Sequence, residues 1–405
     1  MKFVFVSNYL NHHQIPFCSA MYDLLAGDFA FIQTEPMEEE RIRMGWSQNE
    51  KAPYLKLYYR EEKMCRRLIE ESGVALFGGT DEESYIRGRL ESGKPVIRYS
   101  ERLYKTGQWR AVSPRGLFRK YQDHTRYRKK PVYMLCSGAY VPSDFHIVGA
   151  YPGKLLRWGY FPETKAYDVD RLMREKTPGS ILWAARFIDW KHPELALKAA
   201  RYLKLRGVSF HMDMVGGGEM EPFIRRMLSE YGLENQVSLL GYQSPEKVRR
   251  LMEKSEIYLM TSDRKEGWGA VVNEAMNSGC ALVADHMVGA VPFLVKHGIN
   301  GLIYRDGCKD ELFAQTERLL EDRRLRERMG RKAVETIVQE WNAGNAAKRL
   351  LELCVRLGFF TAAELEASAG KVSLEFEREP SAGPCSPAPV IPERKMYKRL
   401  KGDQN

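Results

Sequence analysis

No stretch of this chain is long and apolar enough to cross a bilayer. The longest charge-free run, 3–22, is broken by Asn11-His12-His13-Gln14, which also makes it a poor signal-peptide core. A cytoplasmic protein is expected. Cysteine is scarce and scattered: there are seven, an odd number, and no C-x-x-C pair. Neither a disulfide framework nor a zinc knuckle is supported, and free thiols in a reducing compartment are expected. A short-period repeat of the solenoid kind is missing. Nothing reads as a phosphate-binding P-loop, His12-His13 is not H-E-x-x-H, and Gly216-Gly217-Gly218 meets Glu221 where a dinucleotide fingerprint needs its third glycine. Kinase and zinc-hydrolase readings drop out.

What is present is ample for a multidomain globular protein. The 405 residues are 44% apolar and 29% charged, with a mean hydropathy of −0.45. At roughly 150 residues per domain that length points to two or three domains. The net charge of +10 favours an anionic partner or substrate. It is concentrated in 98–130, where eleven Lys and Arg stand against only Glu101 and Asp123, interleaved with Tyr99, Tyr104, Trp109, Phe118, Tyr121 and Tyr127. Such a block is either a solvated face or a docking surface for anionic lipid or another anionic partner.

The order of elements reads as strand alternating with helix. A β-rich run at 2–6 leads into helical spacing over 15–25; a strand at 74–77, a helix over 81–90 and a strand at 95–99 follow. After a charged, turn-rich stretch at 162–180, strands are predicted at 181–185, 210–215, 237–240, 257–260 and 281–284. Helices lie between them, including 245–254 with Ser244 as N-cap and one over about 270–278 closed by Gly279. This alternation implies parallel sheets covered on both faces. The expected organisation is an N-terminal Rossmann-like domain at 1–161, a linker at 162–180 and a second Rossmann-like domain at 181–345. A helical segment at 346–366 and a disordered proline-rich tail at 367–405 complete it.

One stretch carries chemistry. In Glu266-Gly267-Trp268-Gly269-Ala270-Val271-Val272-Asn273-Glu274 two carboxylates bracket a loop-to-helix junction, and the glycines let a ligand approach the backbone. Carboxylates on either side of a phosphate site can accept hydrogen bonds from hydroxyls, and a sugar nucleotide has hydroxyls at both ends with phosphates between. Two glutamates at this spacing alone arise by chance. Asp168-Val169-Asp170 spells a metal-binding D-x-D, but it falls in the expected linker and is discounted.

Glu266 to Glu274 resembles the E-x7-E signature of glycosyltransferase family 4, the group 1 glycosyl transferases. Four further pieces resemble that family in the same order: Arg186-Phe187-Ile188-Asp189-Trp190-Lys191, Val215-Gly216-Gly217-Gly218, the strand ending Gly241-Tyr242, and Gly289-Ala290-Val291-Pro292 with Asn300-Gly301-Leu302. The resemblance implies a GT-B fold, two Rossmann-like domains facing across a cleft. It implies a retaining, metal-independent hexosyltransferase of polysaccharide or glycolipid biosynthesis that uses a UDP- or GDP-linked sugar as co-substrate and no cofactor.

It further implies that Arg186 and Lys191 hold the donor diphosphate, that Glu266 contacts sugar hydroxyls and that Glu274 binds the ribose. Backbone groups of Gly267, Trp268 and Gly269 would face the sugar, Trp268 would shape the sugar pocket, and the Gly241-Tyr242 turn would border the base. The N-terminal half departs from the family pattern; there His13 and Glu101 are acceptor-side candidates or structural polar residues. A carbohydrate or lipid-linked acceptor and a peripheral place on the inner face of the cell membrane are expected, and no nucleic acid. The rival readings are an epimerase or phosphorylase on the same scaffold, and a non-catalytic basic protein binding RNA or membrane.

Overall fold

The structure, a computed structural model, describes residues 2–38, 51–369 and 382–402. The chain forms two compact units, one of 1–163 with 341–391 and the other of 164–340 with 392–405.

The first unit holds a seven-stranded parallel sheet. Its strands are β1 (Phe3–Ser7), β2 (Phe29–Gln33), β3 (Leu55–Leu57), β4 (Val74–Phe77), β5 (Val96–Ser100), β6 (Val132–Ser137) and β7 (Leu155–Trp158), in the spatial order β3-β2-β1-β4-β5-β6-β7. Every residue of β1 is buried, as expected for a strand with helices on both faces and neighbours on both edges. Phe3 pairs with Phe29 on one side and Val74 on the other.

The second unit holds a six-stranded parallel sheet of β8 (Thr177–Ala184), β9 (His211–Val215), β10 (Val237–Gly241), β11 (Ser255–Met260), β12 (Ala281–Asp285) and β13 (Leu302–Tyr304). Its order, β10-β9-β8-β11-β12-β13, reverses between β8 and β11. In open sheets of this type the crevice at the carboxyl ends of the strands beside such a reversal is where ligands bind. The apolar core around Trp183, Leu197, Met212, Met214 and Leu259 makes that edge a rigid platform.

Three readings of the sequence need correction. Most of the expected linker at 162–180 is built into the second unit: Asp168 caps helix Val169–Arg174 by accepting from the Arg171 amide at 3.0 Å, and β8 already begins at Thr177. Its charged and turn-forming residues are caps and a strand entry, a composition that also marks linkers. Asp170 pairs with Arg331 at 2.5 Å, so the D-x-D tripeptide is spent on helix contacts.

The division expected between a domain ending at 345 and a helical segment at 346–366 does not hold: 309–356 form three helices, Lys309–Glu321, Arg323–Gln339 and Ala343–Arg356. The side chains of Asp322 and Asn342 cap the second and third. The last packs on helix Ile15–Leu24, so the chain returns to the first unit.

The tail is the third case. Residues 370–381 and 403–405 lie outside the described residues, but 382–402 are placed. Pro387 bridges to Leu156, Cys385 and Ser386 are buried, and helix Glu393–Gly402 buries Met396. Prolines there cost little because a strap needs few backbone donors. All seven cysteines are unpaired, and only Cys308 has appreciable exposure.

Candidate functional site

The site grows from the loops that follow β8, β9, β10, β11 and β12. After β8 the chain turns through Arg186 and a short 3-10 turn, Asp189–Lys191, into helix Pro193–Leu205. The loop after β11 lies beside it, and hydrogen bonds stitch the two together. Trp183 Nε1 donates to Thr261 Oγ1 at 2.8 Å, and the Thr261 hydroxyl lies 2.7 Å from the Lys191 carbonyl. The Asp263 amide donates to the Trp190 carbonyl at 3.0 Å, and Lys265 Nζ lies 3.0 Å from Asp189 Oδ2.

Lys191 and Glu266 meet in this seam. Their side chains, 13% and 12% exposed, form a direct ion pair. The Lys191 ammonium also sits 4.3 Å from the centre of the Trp190 ring, and the Arg186 guanidinium lies 6.0 Å from the same ring. One indole thus carries two cations. An ammonium has three N–H donors, so one spent on Glu266 leaves two for an anion.

A tight glycine turn after β9 supports Arg186. The Phe187 amide donates to the Gly217 carbonyl at 2.8 Å, the Gly216 amide to the Gly241 carbonyl at 2.9 Å, and the Met220 amide to the Phe187 carbonyl at 2.9 Å. Gly216 has φ +128°, and a Cβ there would lie 1.9 Å from the Ala185 carbonyl oxygen. Tyr242 is exposed, and its ring lies over Gly217, where an added Cβ would approach to 2.7 Å. Gly241 turns at φ +64° just before it.

Glu274 sits one turn into helix Val271–Asn277. The residue keeps part of its surface open, yet burial pushes its carboxyl above the usual range, against the pull of Arg249. Tyr258, buried in β11 with its hydroxyl on the Ala184 carbonyl at 2.9 Å, has its phenol pKa raised by burial and then by the charges of Glu274 and Glu266. Both carboxylates therefore lie around the end of β11.

Gly269, at φ +88°, threads between Val288 and Met260. Trp268 departs from the expectation that its ring shapes a sugar pocket. It is fully buried and its Nε1 donates to Asn273 Oδ1 at 2.9 Å, while its carbonyl accepts from the Ala290 amide at 2.9 Å. Its ring anchors the loop.

The sequence reading passed over His192, although it stands beside Lys191. Asp263 Oδ2, 3.6 Å from Nε2, and Glu194 Oε1, 2.9 Å from Nδ1, raise its pKa from 6.5 to about 10. A folded pKa above the unfolded one gives stability that is complete below about pH 6.5 and is lost as pH rises through about 10. His192→Gln is expected to cost about 1–2 kcal/mol near pH 6.5, allowing for solvent screening at a partly exposed site, and almost nothing above pH 10.5. Thermal midpoints of both proteins across that range check this; a constant difference overturns it.

In the first unit, Tyr160 links the two acceptor-side candidates. The His13 ring stacks on Tyr160 at 6.2 Å and 12°, and Tyr160 donates its hydroxyl hydrogen to Glu101 Oε1 at 2.6 Å. Lys105 pairs with the other Glu101 oxygen. Nothing in the sequence ties Tyr160 to either residue, because the three come from different strand ends.

The basic block is not one surface. Arg98 is buried on Glu83 and on the Asp123 carbonyl, and Arg102 is buried 3.4 Å from Asp144. These two cations are neutralised inside the fold, with Tyr104 and Tyr127 buried beside them. Among the described residues no three His, Cys, Asp or Glu side chains gather as metal ligands would, and no helix is long and apolar enough to cross a membrane.

Comparison with known proteins shows what this geometry is similar to. Residues 168–336 match the family model "Glycosyl transferases group 1". The amylovoran biosynthesis glycosyltransferase AmsK of Erwinia amylovora is 29% identical over 147 residues, 35% of this chain and 36% of that protein. The alpha-D-kanosaminyltransferase of Streptomyces kanamyceticus is 28% identical over 178 residues, 44% and 46% of the two chains. The chain thus spans about half or less of the length of these curated relatives.

The similarity in fold runs further. The structure of Anabaena Alr3699/HepE in complex with UDP superposes with a TM-score of 0.64 at 15% identity, covering 88% of this chain and 100% of that one. The lipopolysaccharide outer core galactosyltransferase WaaB gives 0.63 at 15% identity, covering 88% and 99%. Residues 168–336 thus resemble the group 1 glycosyl transferases, on a chain with the GT-B fold of two Rossmann-like units.

Proposed function

We propose that the protein is a retaining glycosyltransferase that moves a hexose-like sugar from a nucleoside-diphosphate sugar, UDP- or GDP-linked, to a hydroxyl of a carbohydrate or lipid-linked acceptor in polysaccharide or glycolipid assembly. The observation that carries this reading is the Lys191–Glu266 pair on the loops of β8 and β11, beside Arg186 on the shared Trp190 ring. A diphosphate takes the two remaining Lys191 donors and Arg186. A sugar joined to the second phosphate then brings its hydroxyls to Glu266, the immediate neighbour of Lys191. The UDP held by the similar Anabaena protein supports a nucleotide donor.

The transfer breaks the bond between the anomeric carbon and the phosphate oxygen and forms one to the acceptor oxygen. The acceptor proton passes to the leaving phosphate, so no side-chain base is obligatory. Charge grows on that phosphate in the transition state, where two fixed cations in a partly buried seam stabilise it most. Neither metal nor cofactor has a part in this reading. Tyr242 offers a ring for the base, Glu274 accepts from the ribose hydroxyls, and the His13, Tyr160 and Glu101 cluster of the first unit supplies polar groups for the acceptor. The enzyme works in the cytoplasm, peripheral to the inner face of the cell membrane.

A panel of nucleotide sugars screened by thermal shift tests the donor. Saturating donor at about a hundred times its Kd stabilises the native state by about 2.7 kcal/mol. Glu274→Ala should fold as well as the parent, since it relieves a carboxylate held in a desolvating position, and should weaken donor binding at least tenfold. A parent protein that no nucleotide sugar stabilises ends the proposal.

A further inference from the structure

Helix Pro114–Asp123 is inside out. It has no buried residue, and at 100° per residue Leu117, Phe118 and Tyr121 fall on one arc with Pro114, whereas Gly116, Lys120 and Asp123 fall on the other. Leu117, Phe118 and Tyr121 are the exposed ones, while Gly116, Lys120 and Asp123 are partly covered by the protein. The preceding 3-10 turn, Gln108–Val112, adds Trp109 and Val112 to the exposed side. These five side chains are between 39% and 78% exposed, and they are five of the fourteen large apolar side chains that are exposed among the described residues. An apolar patch concentrated this way marks a docking surface rather than scattered surface residues.

Its surroundings are cationic. Arg110, Arg115 and Arg119 are exposed within the same stretch, and Arg126, Arg128 and Lys129 follow it. The acid of this helix, Asp123, lies 3.6 Å from Arg119 on the covered side. Apolar rings facing outward, flanked by arginines, match the boundary between acyl chains and anionic headgroups. Rings enter the acyl layer, and guanidinium groups stay level with the phosphates.

We propose that the segment from Gln108 to Asp123 lies in the surface of an anionic bilayer, inserting Trp109, Leu117, Phe118 and Tyr121 and holding lipid phosphates with Arg110 and Arg115. This narrows the membrane part of the reading above to one segment and replaces the undivided basic block: Arg98 and Arg102 take no part because they are paired inside the fold.

Co-sedimentation of the full chain with phosphatidylcholine vesicles, with and without about a third phosphatidylglycerol, tests the proposal. Binding to the anionic vesicles should be at least tenfold tighter than to neutral ones and should fall with added salt. The double variant Trp109→Ser/Phe118→Ser should bind at least tenfold more weakly. Arg110→Gln and Arg115→Gln should each cost about fivefold. Both rings are exposed, so the thermal midpoint and the donor-induced shift of the double variant should equal those of the parent. A retained donor shift with lost vesicle binding keeps the two proposals separate.

Four results overturn the proposal: no binding to either vesicle, equal binding to both, unchanged binding of the double variant, or a dimer in gel filtration that the double variant abolishes. Tighter capture of single-stranded RNA than of anionic vesicles also overturns it, because the patch would then be a stacking platform for bases.

Discussion

Lys191→Ala lowers the rate of sugar transfer by about two to three orders of magnitude, the loss expected when a preorganised charge next to a leaving group is removed. The same change leaves Glu266 without its ion-pair partner at 12% exposure, so stability falls by about 2–3 kcal/mol as well. The two effects separate in Lys191→Arg. That variant keeps the charge and the pairing partner but replaces a compact ammonium by a planar fork, so it should recover most of the stability and little of the rate. Initial rates of product formation with the donor singled out by thermal shift, and urea unfolding of each variant, are the measurements. A folded Lys191→Ala protein with a rate within threefold of the parent would falsify the assignment of the diphosphate to this seam.

Gly216→Ala should be the most destabilising single change in the second unit, by about 4 kcal/mol or more. Two costs add. A Cβ at 1.9 Å from the Ala185 carbonyl overlaps backbone held between β8 and β9, which cannot turn away as a side chain would. At φ +128° the alanine would also occupy a region that L-residues avoid. Gly88→Ala is the control. It lies in helix Ser84–Ser92 with nothing within 4 Å of an added Cβ, and should stabilise by about 0.5–1 kcal/mol. Urea unfolding of the two variants should therefore differ in sign. Equal and small changes would mean that the turn does not press on Ala185 as the coordinates place it.

The expected residues that have come together did so for local reasons. Gly279 ends its helix at φ +72°, and Ser244 accepts from the Lys247 amide as an N-cap at 3.3 Å, because caps depend on residues a few positions apart. The seam itself was half legible. Lys191 and Glu266 were each marked by resemblance, but for different parts of a donor; that they touch depends on β8 and β11 lying side by side. His192 was overlooked because, although Glu194 stands two residues away, its second partner, Asp263, lies on the distant loop after β11. Trp268 was misread because an aromatic ring between two glycines looks like a pocket wall until Asn273 is seen to hold it inward.

Composition and local pattern pointed to two parallel α/β units and to where most strands and caps fall. These follow from periodicity and from side chains bonding to nearby backbone, interactions that span a few residues. Tertiary structure alone decided that residues 341–391 return to the first unit, that two arginines of a basic run are neutralised inside it, and that Leu117, Phe118 and Tyr121 face outward. Burial and pairing of that kind depend on which distant strand or helix supplies the neighbour, and a helix with one apolar face reads the same in sequence whether that face meets a core or solvent.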